Sequence, residues 1–133
     1  MTPVFVDTSF YLALVSPRDA LHALAVELAS HYRGELVTTE YVLIETGNYL
    51  SRSGVRRVFI ELLRSLQADP QTTILAGSFD RFAAGFAGFC DRPDKDWSMT
   101  DCISFKAMEE LGLTDAFTAD HHFEQAGFRA MLR

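Results

Sequence analysis

The chain has 133 residues, and its 12 lysines and arginines against 18 aspartates and glutamates give a formal net charge of −6 at neutral pH. Hydrophobic residues make up 48% of the chain and charged residues 23%, which excludes a disordered protein. No stretch approaches the roughly 18 uninterrupted apolar residues that a membrane-spanning helix requires. We therefore expect residues 1–133 to form a single domain without a membrane association.

Two features of the sequence favour a cytoplasmic location. The N-terminal residues 1–7 lack the basic region and the cleavage site of a signal peptide. The two cysteines, Cys90 and Cys102, form no Cys-x-x-Cys pair, and two cysteines with scattered histidines do not make a structural zinc site.

The acidic balance argues against capture of nucleic acid by net charge, but it is compatible with an enzyme that collects its carboxylates in one cleft.

The apolar pattern predicts short strands that alternate with longer helices. A strand at 3–7 is followed by a helix at 9–16, which Pro17 ends, and by an amphipathic helix at 20–33 with Gly34 at its C-terminal end. The later predicted strands lie at 36–38, 72–75, 116–118 and 128–132. The later predicted helices lie at 40–52, 55–66, 78–90, 100–111 and 121–125, and Gly112 closes the helix at 100–111.

This order of elements predicts an α/β fold, with a central, mostly parallel sheet of about five short strands and helices on both faces. In such sheets, ligands bind beyond the carboxyl ends of the strands, where the strand order reverses. No Gly-x-Gly-x-x-Gly follows the first strand, so a dinucleotide-binding domain is not supported.

The predicted helix at 78–90 is rich in phenylalanine and glycine. Phe82, Phe86 and Phe89 are spaced i, i+4, i+7, and we expect them in the core. Gly85 and Gly88 on the same helix would allow another helix to approach closely, either inside the fold or in a dimer.

Four acidic residues lie at or beside predicted strand ends. Asp7 closes the first strand and Asp120 the fourth, while Glu45 lies on the helix after the second strand and Asp101 in the first turn of the helix before the fourth. Simpler interpretations exist for each: Asp7 and Asp120 as helix caps, Asp101 in a capping box with Ser98, and Glu45 at a rim that reaches water.

Taken together, the four carboxylates point to a cation. Two unit charges ~4 Å apart repel by about 4 kcal/mol at an effective dielectric constant of ~20, and several such pairs rival the ~5–15 kcal/mol that stabilises a small domain. The cluster therefore requires a cation, or protonation of some of the acids. With oxygen ligands and no converging Cys or His, Mg²⁺ or Mn²⁺ is expected.

Four short motifs occur in order along nearly the whole chain: Val-Asp-Thr-Ser at 6–9, Tyr-Val-Leu-Ile-Glu-Thr at 41–46, Asp-Trp-Ser-Met-Thr-Asp-Cys at 96–102 and Thr-Ala-Asp-His-His-Phe at 118–123. Together they resemble the motifs of the PIN-domain ribonucleases, particularly the VapC-type toxins of bacterial toxin–antitoxin pairs. The third is similar to the Ser-x-Thr-Asp segment of that family and is the most specific.

This resemblance implies a PIN-like fold and a metal-dependent endoribonuclease, in which Mg²⁺ or Mn²⁺ activates a water molecule that hydrolyses the RNA phosphodiester bond. It also implies a protein antitoxin as partner, and a homodimer. Under it, Asp7 and Asp101 ligate the metal directly, and Glu45 and Asp120 complete the acidic cluster. The alternative is a non-catalytic PIN-like module that binds RNA or protein. The presence of all four acids argues against that module, because it need not tolerate their repulsion.

Further residues are candidates for orienting the carboxylates, namely Thr8, Ser9, Asn48, Ser98 and Thr100. For the hydroxyl residues among them, helix capping is the preferred interpretation. We interpret Asp96 as a loop residue, Trp97 as packing beside the site, and His121 and His122 as incidental surface residues. The RNA that is cut, the number of metal ions and the identity of the antitoxin stay open.

Overall fold

In the computed structural model, which describes residues 2–133, the chain forms five strands and seven helices. The strands are β1 (Val4–Val6), β2 (Leu36–Thr39), β3 (Thr72–Leu75), β4 (Asp115–Phe117) and β5 (Arg129–Ala130). The helices are α1 (Thr8–Val15), α2 (His22–His31), α3 (Glu40–Tyr49), α4 (Arg56–Ala68), α5 (Phe79–Asp91), α6 (Met99–Leu111) and α7 (His121–Gln125). None of the helices in this described part is long and apolar enough to cross a membrane.

The strands pair in the order β3-β2-β1-β4-β5, and every pair is parallel. The chain moves outwards from β1 to β3, then returns across the sheet to place β4 on the other side of β1. Because parallel crossovers are right-handed, this reversal puts α1–α4 and α5–α7 on opposite faces of the sheet. The predicted parallel α/β fold is confirmed, and the strand order reverses between β1 and β4.

The paired strands β1 and β4 form the centre of the core. Phe5 and Val6 are fully buried, as are their neighbours across the sheet, Ala116 and Phe117. Strands covered on both faces bury successive residues rather than alternate ones, which explains the continuous apolar run of β1. The Phe10 ring of α1 stacks on Phe117 at 4.8 Å between centroids. This packing fixes the start of α1 over the ends of β1 and β4.

Most predicted boundaries agree with the structure to within one to three residues. The helix α2 ends two residues earlier than predicted, with Tyr32 as its C-cap, so Gly34 does not terminate it. By contrast, Gly112 directly follows α6 with φ +67°, the left-handed conformation that glycine adopts without strain.

The expectation that the phenylalanines of α5 are in the core is wrong. About half or more of the surface is exposed at Phe79, Phe82, Phe86 and Phe89. The reason is that α5 packs on α6 through its glycines: Gly85 is buried, and a β-carbon there would collide with Ile103, whose backbone nitrogen lies 3.1 Å from that position. The close approach predicted for Gly85 and Gly88 occurs inside the fold, and the bulky rings remain outside it.

Candidate active site

One pocket at the carboxyl edge of the sheet contains all four acidic residues singled out from the sequence. It is lined by Asp7, Thr8, Ser9, Leu12, Glu45, Tyr49, Asp96, Ser98, Asp101, Asp120 and His122. The end of β1, the helices α1 and α3, the loop before α6, and the starts of α6 and α7 supply these side chains. The pocket therefore lies at the reversal of strand order, where an open parallel sheet binds its ligands.

Asp7 is held by hydroxyl groups rather than by a helix end. It occupies the N-cap position of α1 but makes no side-chain capping hydrogen bond, so its interpretation as a simple cap is not supported. Thr118 donates to the Asp7 Oδ2 at 2.9 Å, and Ser9 donates to the same oxygen at 3.3 Å. In the described chain no side chain donates to Oδ1.

The two hydroxyls also join Asp7 to the segment that follows β4. The Ser9 and Thr118 hydroxyl oxygens are 3.1 Å apart. The Ala119 amide donates to Ser9 Oγ and the Asp120 amide donates to Thr118 Oγ1, each at 3.0 Å. Sequence reasoning missed Thr118, although the parallel pairing of β1 with β4 brings the residue after Phe117 to the end of β1. The network fixes Asp7 relative to Asp120.

Asp101 is both a capping residue and a pocket residue. Ser98 Oγ accepts from the Asp101 amide at 3.0 Å, and the Ser98 amide donates to Asp101 Oδ2 at 3.2 Å, which confirms the capping box. Asp101 as a whole residue is only 7% exposed, yet it lines the pocket beside Asp7. The cap engages Oδ2, so capping holds the carboxylate in place without occupying its second oxygen.

Asp120 lies beside two imidazoles. Its Oδ1 accepts from the His122 amide at 2.9 Å and so caps α7. The His122 Nδ1 atom lies 3.3 Å from that oxygen and 3.2 Å from Asp101 Oδ2, and the His121 Nδ1 atom lies 3.7 Å from Asp120 Oδ1. The interpretation of His122 as incidental is wrong, because its ring connects two of the four carboxylates. The expectation that no histidine converges on the cluster is wrong for the same reason.

The remaining candidates occupy different surroundings. Glu45 is half-buried and lines the pocket, whereas Asn48, one turn further along α3, is exposed and lies in a groove between α3 and α4. No hydrogen bond joins these two side chains in the described chain. Thr8 donates to the Val42 carbonyl at 3.4 Å, and Thr100 makes no side-chain hydrogen bond among residues 2–133.

Two flanking residues of the third motif lie where the sequence placed them. Trp97 packs edge-on against Phe105 and donates to Gln125 at 2.9 Å, so it contributes packing rather than a free aromatic surface. Asp96 is exposed in the loop before α6, but it also lines the pocket, as a fifth carboxylate.

The electrostatics of the pocket favour a bound cation. Burial raises the pKa of Asp7 to about 7, an effect that the Thr118 hydroxyl opposes and that nearby Asp101 and Glu45 increase. Burial also raises the pKa of Asp101, and Asp120 raises it further. Within the described residues, no lysine or arginine forms an ion pair with any of the four carboxylates. These oxygens could therefore hold a hard divalent cation, which would offset their charge.

The raised pKa of Asp7 predicts a pH-dependent stability. Its ionisation opposes folding, so the unfavourable effect is absent below the unfolded value of 3.8, grows between that pH and about 7, and is constant at higher pH. In metal-free protein we expect Asp7→Asn to raise the free energy of unfolding at pH 8 by up to about 4 kcal/mol, and to change it little at pH 4. Urea denaturation in EDTA measures this, with Asp91→Asn as the exposed control. An equal effect of Asp7→Asn at both pH values would contradict the burial of a charge.

Comparisons with known proteins concern the family and the fold of the chain. A model of a family described as PIN domain matches residues 4–129. The chain is 27% identical over 125 residues to the 23S rRNA-specific endonuclease VapC20 of Mycobacterium tuberculosis, in strain CDC 1551 / Oshkosh and in strain ATCC 25618 / H37Rv. The aligned residues cover 94% of this chain and 95% of the relative.

A solved structure is similar to the fold as a whole. The crystal structure of Mycobacterium tuberculosis VapC20, described as a sarcin–ricin loop cleaving toxin, superimposes with a TM-score of 0.86 at 26% sequence identity. The alignment covers 94% of this chain and 95% of that one. The similarity therefore spans nearly the whole of both chains.

Proposed function

The chain belongs to the PIN domain family, and on this premise we propose that it is a metal-dependent endoribonuclease, the toxin of a toxin–antitoxin pair. The observation that carries the proposal is the pocket in which Asp7, Glu45, Asp101 and Asp120 come together without a lysine or arginine partner in the described chain. The similarity to an endonuclease over 94% of the chain supports the same activity.

Asp7 and Asp101 are the residues that would hold Mg²⁺ or Mn²⁺ directly, and Glu45 and Asp120 would complete the cluster. The donor set fits such an ion, because each of the two buried carboxylates keeps one oxygen free of side-chain donors in the part of the chain described. When bound, a divalent ion polarises a phosphoryl oxygen and makes water a stronger nucleophile at neutral pH.

The protein supplies fixed positions for these ligands. Ser9 and Thr118 hold one oxygen of Asp7, and the capping box of α6 holds one oxygen of Asp101. Because the supporting groups lie on the sheet edge and on a helix, the ligands need little rearrangement when the ion and the RNA bind. Preorganisation of this kind is the main contribution a protein makes in phosphodiester hydrolysis by metal ions.

Ribosomal RNA is the substrate class that we propose to test first. The relative VapC20 is named as specific for 23S rRNA, and its solved structure is described as that of a sarcin–ricin loop cleaving toxin. The open pocket, with Tyr49 on its rim, is compatible with an extruded nucleotide of a structured loop.

Removal of one proposed ligand should abolish cleavage. With a sarcin–ricin loop RNA and with total RNA, we expect Mg²⁺- or Mn²⁺-dependent cuts that EDTA prevents. Asp101→Asn should lower the cleavage rate by roughly 100-fold or more, since even residues that only orient a ligand are worth 10–100-fold. Asparagine can still accept from the Ser98 amide, so the cap of α6 survives. Asp91→Asn removes an equal charge from the exposed end of α5 and should cleave normally.

The possible outcomes of this assay separate the two candidate functions. Discrete metal-dependent cuts that are absent with Asp101→Asn would support the nuclease. RNA binding by the folded wild-type protein without cleavage, with either metal and either RNA, would contradict it and favour a non-catalytic binding module.

A protein antitoxin is the partner that we propose beside RNA. A groove between α3 and α4 is lined by apolar side chains, among them Ile44 and Ile60, which are 59% and 45% exposed. The groove shares α3 with the pocket, and Ile44 directly precedes Glu45. A partner that fills the groove would therefore lie next to the carboxylates and block access of RNA to them.

A homodimer through α5 is the assembly that we propose. The exposed phenylalanines of α5, Phe79, Phe82, Phe86 and Phe89, form one stripe along the helix. In an antiparallel pairing of two copies, the stripe of one α5 would lie along the stripe of the other, so the same apolar patch would be covered in both copies. A two-fold interface requires such a self-complementary patch.

Sedimentation tests this assembly. We expect the wild-type chain to be a dimer at micromolar concentration, and Phe86→Ser to raise the dimer dissociation constant at least about tenfold, because buried aromatic residues dominate interface energetics. Phe86 is 53% exposed in the single chain, so the variant should still fold. Ile60 is an exposed apolar residue on α4, and Ile60→Ser is the control that should leave the dimer intact. A monomeric wild-type chain would contradict the assembly.

A further inference from the structure

We propose that Asp120, His121 and His122 form a second cation site, which selects an imidazole-preferring transition metal such as Zn²⁺ over Mg²⁺. The three side chains lie at the start of α7, where Asp120 and His122 line the carboxylate pocket and His121 lies beside them. The ribonuclease centre proposed above uses oxygen ligands alone, so this second site has a different donor set and a different preference for metals.

The geometry is that of a coordination site before metal binding. The Asp120 Oδ1 atom lies 3.3 Å from His122 Nδ1 and 3.7 Å from His121 Nδ1, and one ligand atom from each residue lies within 4.8 Å of the others. Ligands about 2.1 Å from a tetrahedral ion are about 3.4 Å from one another. The two measured oxygen–nitrogen distances, 3.3 and 3.7 Å, are close to that separation.

The surroundings allow an ion to enter and to find a fourth ligand. The His121 side chain is 57% exposed, so the cluster is open to solvent. The Asp101 Oδ2 atom lies 3.2 Å from His122 Nδ1, on the inner side of the cluster. Asp101 can thus contribute a carboxylate from within the pocket, and water can fill any remaining position.

The donor set decides which metal is selected. Imidazole nitrogen is a good ligand for Zn²⁺, Ni²⁺ and Cu²⁺, whereas Mg²⁺ prefers oxygen ligands in octahedral geometry. A carboxylate with two imidazoles therefore favours the transition metal, and the oxygen-only arrangement around Asp7 favours Mg²⁺. A simpler explanation is that the histidines only offset the negative charge of the pocket. That explanation predicts that His121→Ala and His122→Gln do not weaken the binding of Zn²⁺.

Occupation of the second site would affect the first. Zn²⁺ bound here would withdraw Asp120 from the acidic cluster. It would also bind the Asp101 Oδ2 atom, which lies beside His122 Nδ1. Because this consequence rests on the proposed ribonuclease activity, we expect micromolar Zn²⁺ to inhibit the Mg²⁺-supported cleavage of RNA. The binding of Zn²⁺ itself does not depend on that activity.

Calorimetric titration of Zn²⁺ into metal-free full-length protein, in the presence of excess Mg²⁺, tests the site. We expect tight binding that Mg²⁺ does not displace. His121→Ala and His122→Gln should each raise the Zn²⁺ dissociation constant at least roughly tenfold. His121 is exposed, and glutamine at position 122 can still donate to Asp101, so both variants should fold. His31→Ala removes an exposed histidine of α2 and should bind Zn²⁺ as the wild type does.

The proposal is overturned if all four proteins bind Zn²⁺ equally, or if Mg²⁺ competes with Zn²⁺ on equal terms. An RNA cleavage assay with added Zn²⁺ keeps the zinc-site proposal separate from the ribonuclease proposal. If the wild type cleaves RNA with Mg²⁺, inhibition should require about tenfold more Zn²⁺ with His121→Ala than with His31→Ala, and equal inhibition of both variants would overturn the link to the nuclease centre. If the wild type cleaves nothing, the nuclease proposal fails, and the titration still decides the zinc site.

Discussion

The burial of the Asp7 carboxylate at the junction of β1 and β4 is the constraint on which the rest of the site depends. A charge that is 4% exposed, beside other carboxylates, is unfavourable in the metal-free chain, as the rise of the pKa of Asp7 to about 7 indicates. The surrounding residues reduce this cost only in part, through the Thr118 hydroxyl and the Thr8 backbone amide. The fold therefore preserves an unbalanced negative pocket, which a divalent cation can balance.

The sheet order explains why this charge and the other acids meet. Reversal of the strand order beside β1 leaves a gap between two sets of helices, and the carboxyl ends of β1 and β4 open into it. The hydroxyl groups of Thr118, directly after β4, and of Ser9, in the first turn of α1, fix Asp7. A capping box at the start of α6 fixes Asp101. The hydrogen bonds that end a strand and begin a helix thus also hold the proposed metal ligands in place. A residue can therefore cap a helix and bind a metal ion at the same time.

The sequence predicted the strands, the parallel sheet and the four carboxylates, because strand ends can be located from apolar runs and acids at those ends meet in space. It did not predict Thr118 or His122, whose partners are set by strand register and by the direction of a short helix. It misassigned Phe82, Phe86 and Phe89, because helical spacing identifies an apolar stripe but not what covers it. Gly85 decided the packing face of α5, since only a glycine allows the approach of Ile103.

The most direct test of a cation held between Asp7 and Asp101 is the anomalous scattering of crystals grown with Mn²⁺. The account predicts an anomalous peak within coordination distance of one carboxylate oxygen of each residue, and loss of that peak in crystals of Asp7→Asn. A well-ordered pocket without a peak, or a Mn²⁺ ion bound away from both carboxylates, would contradict it.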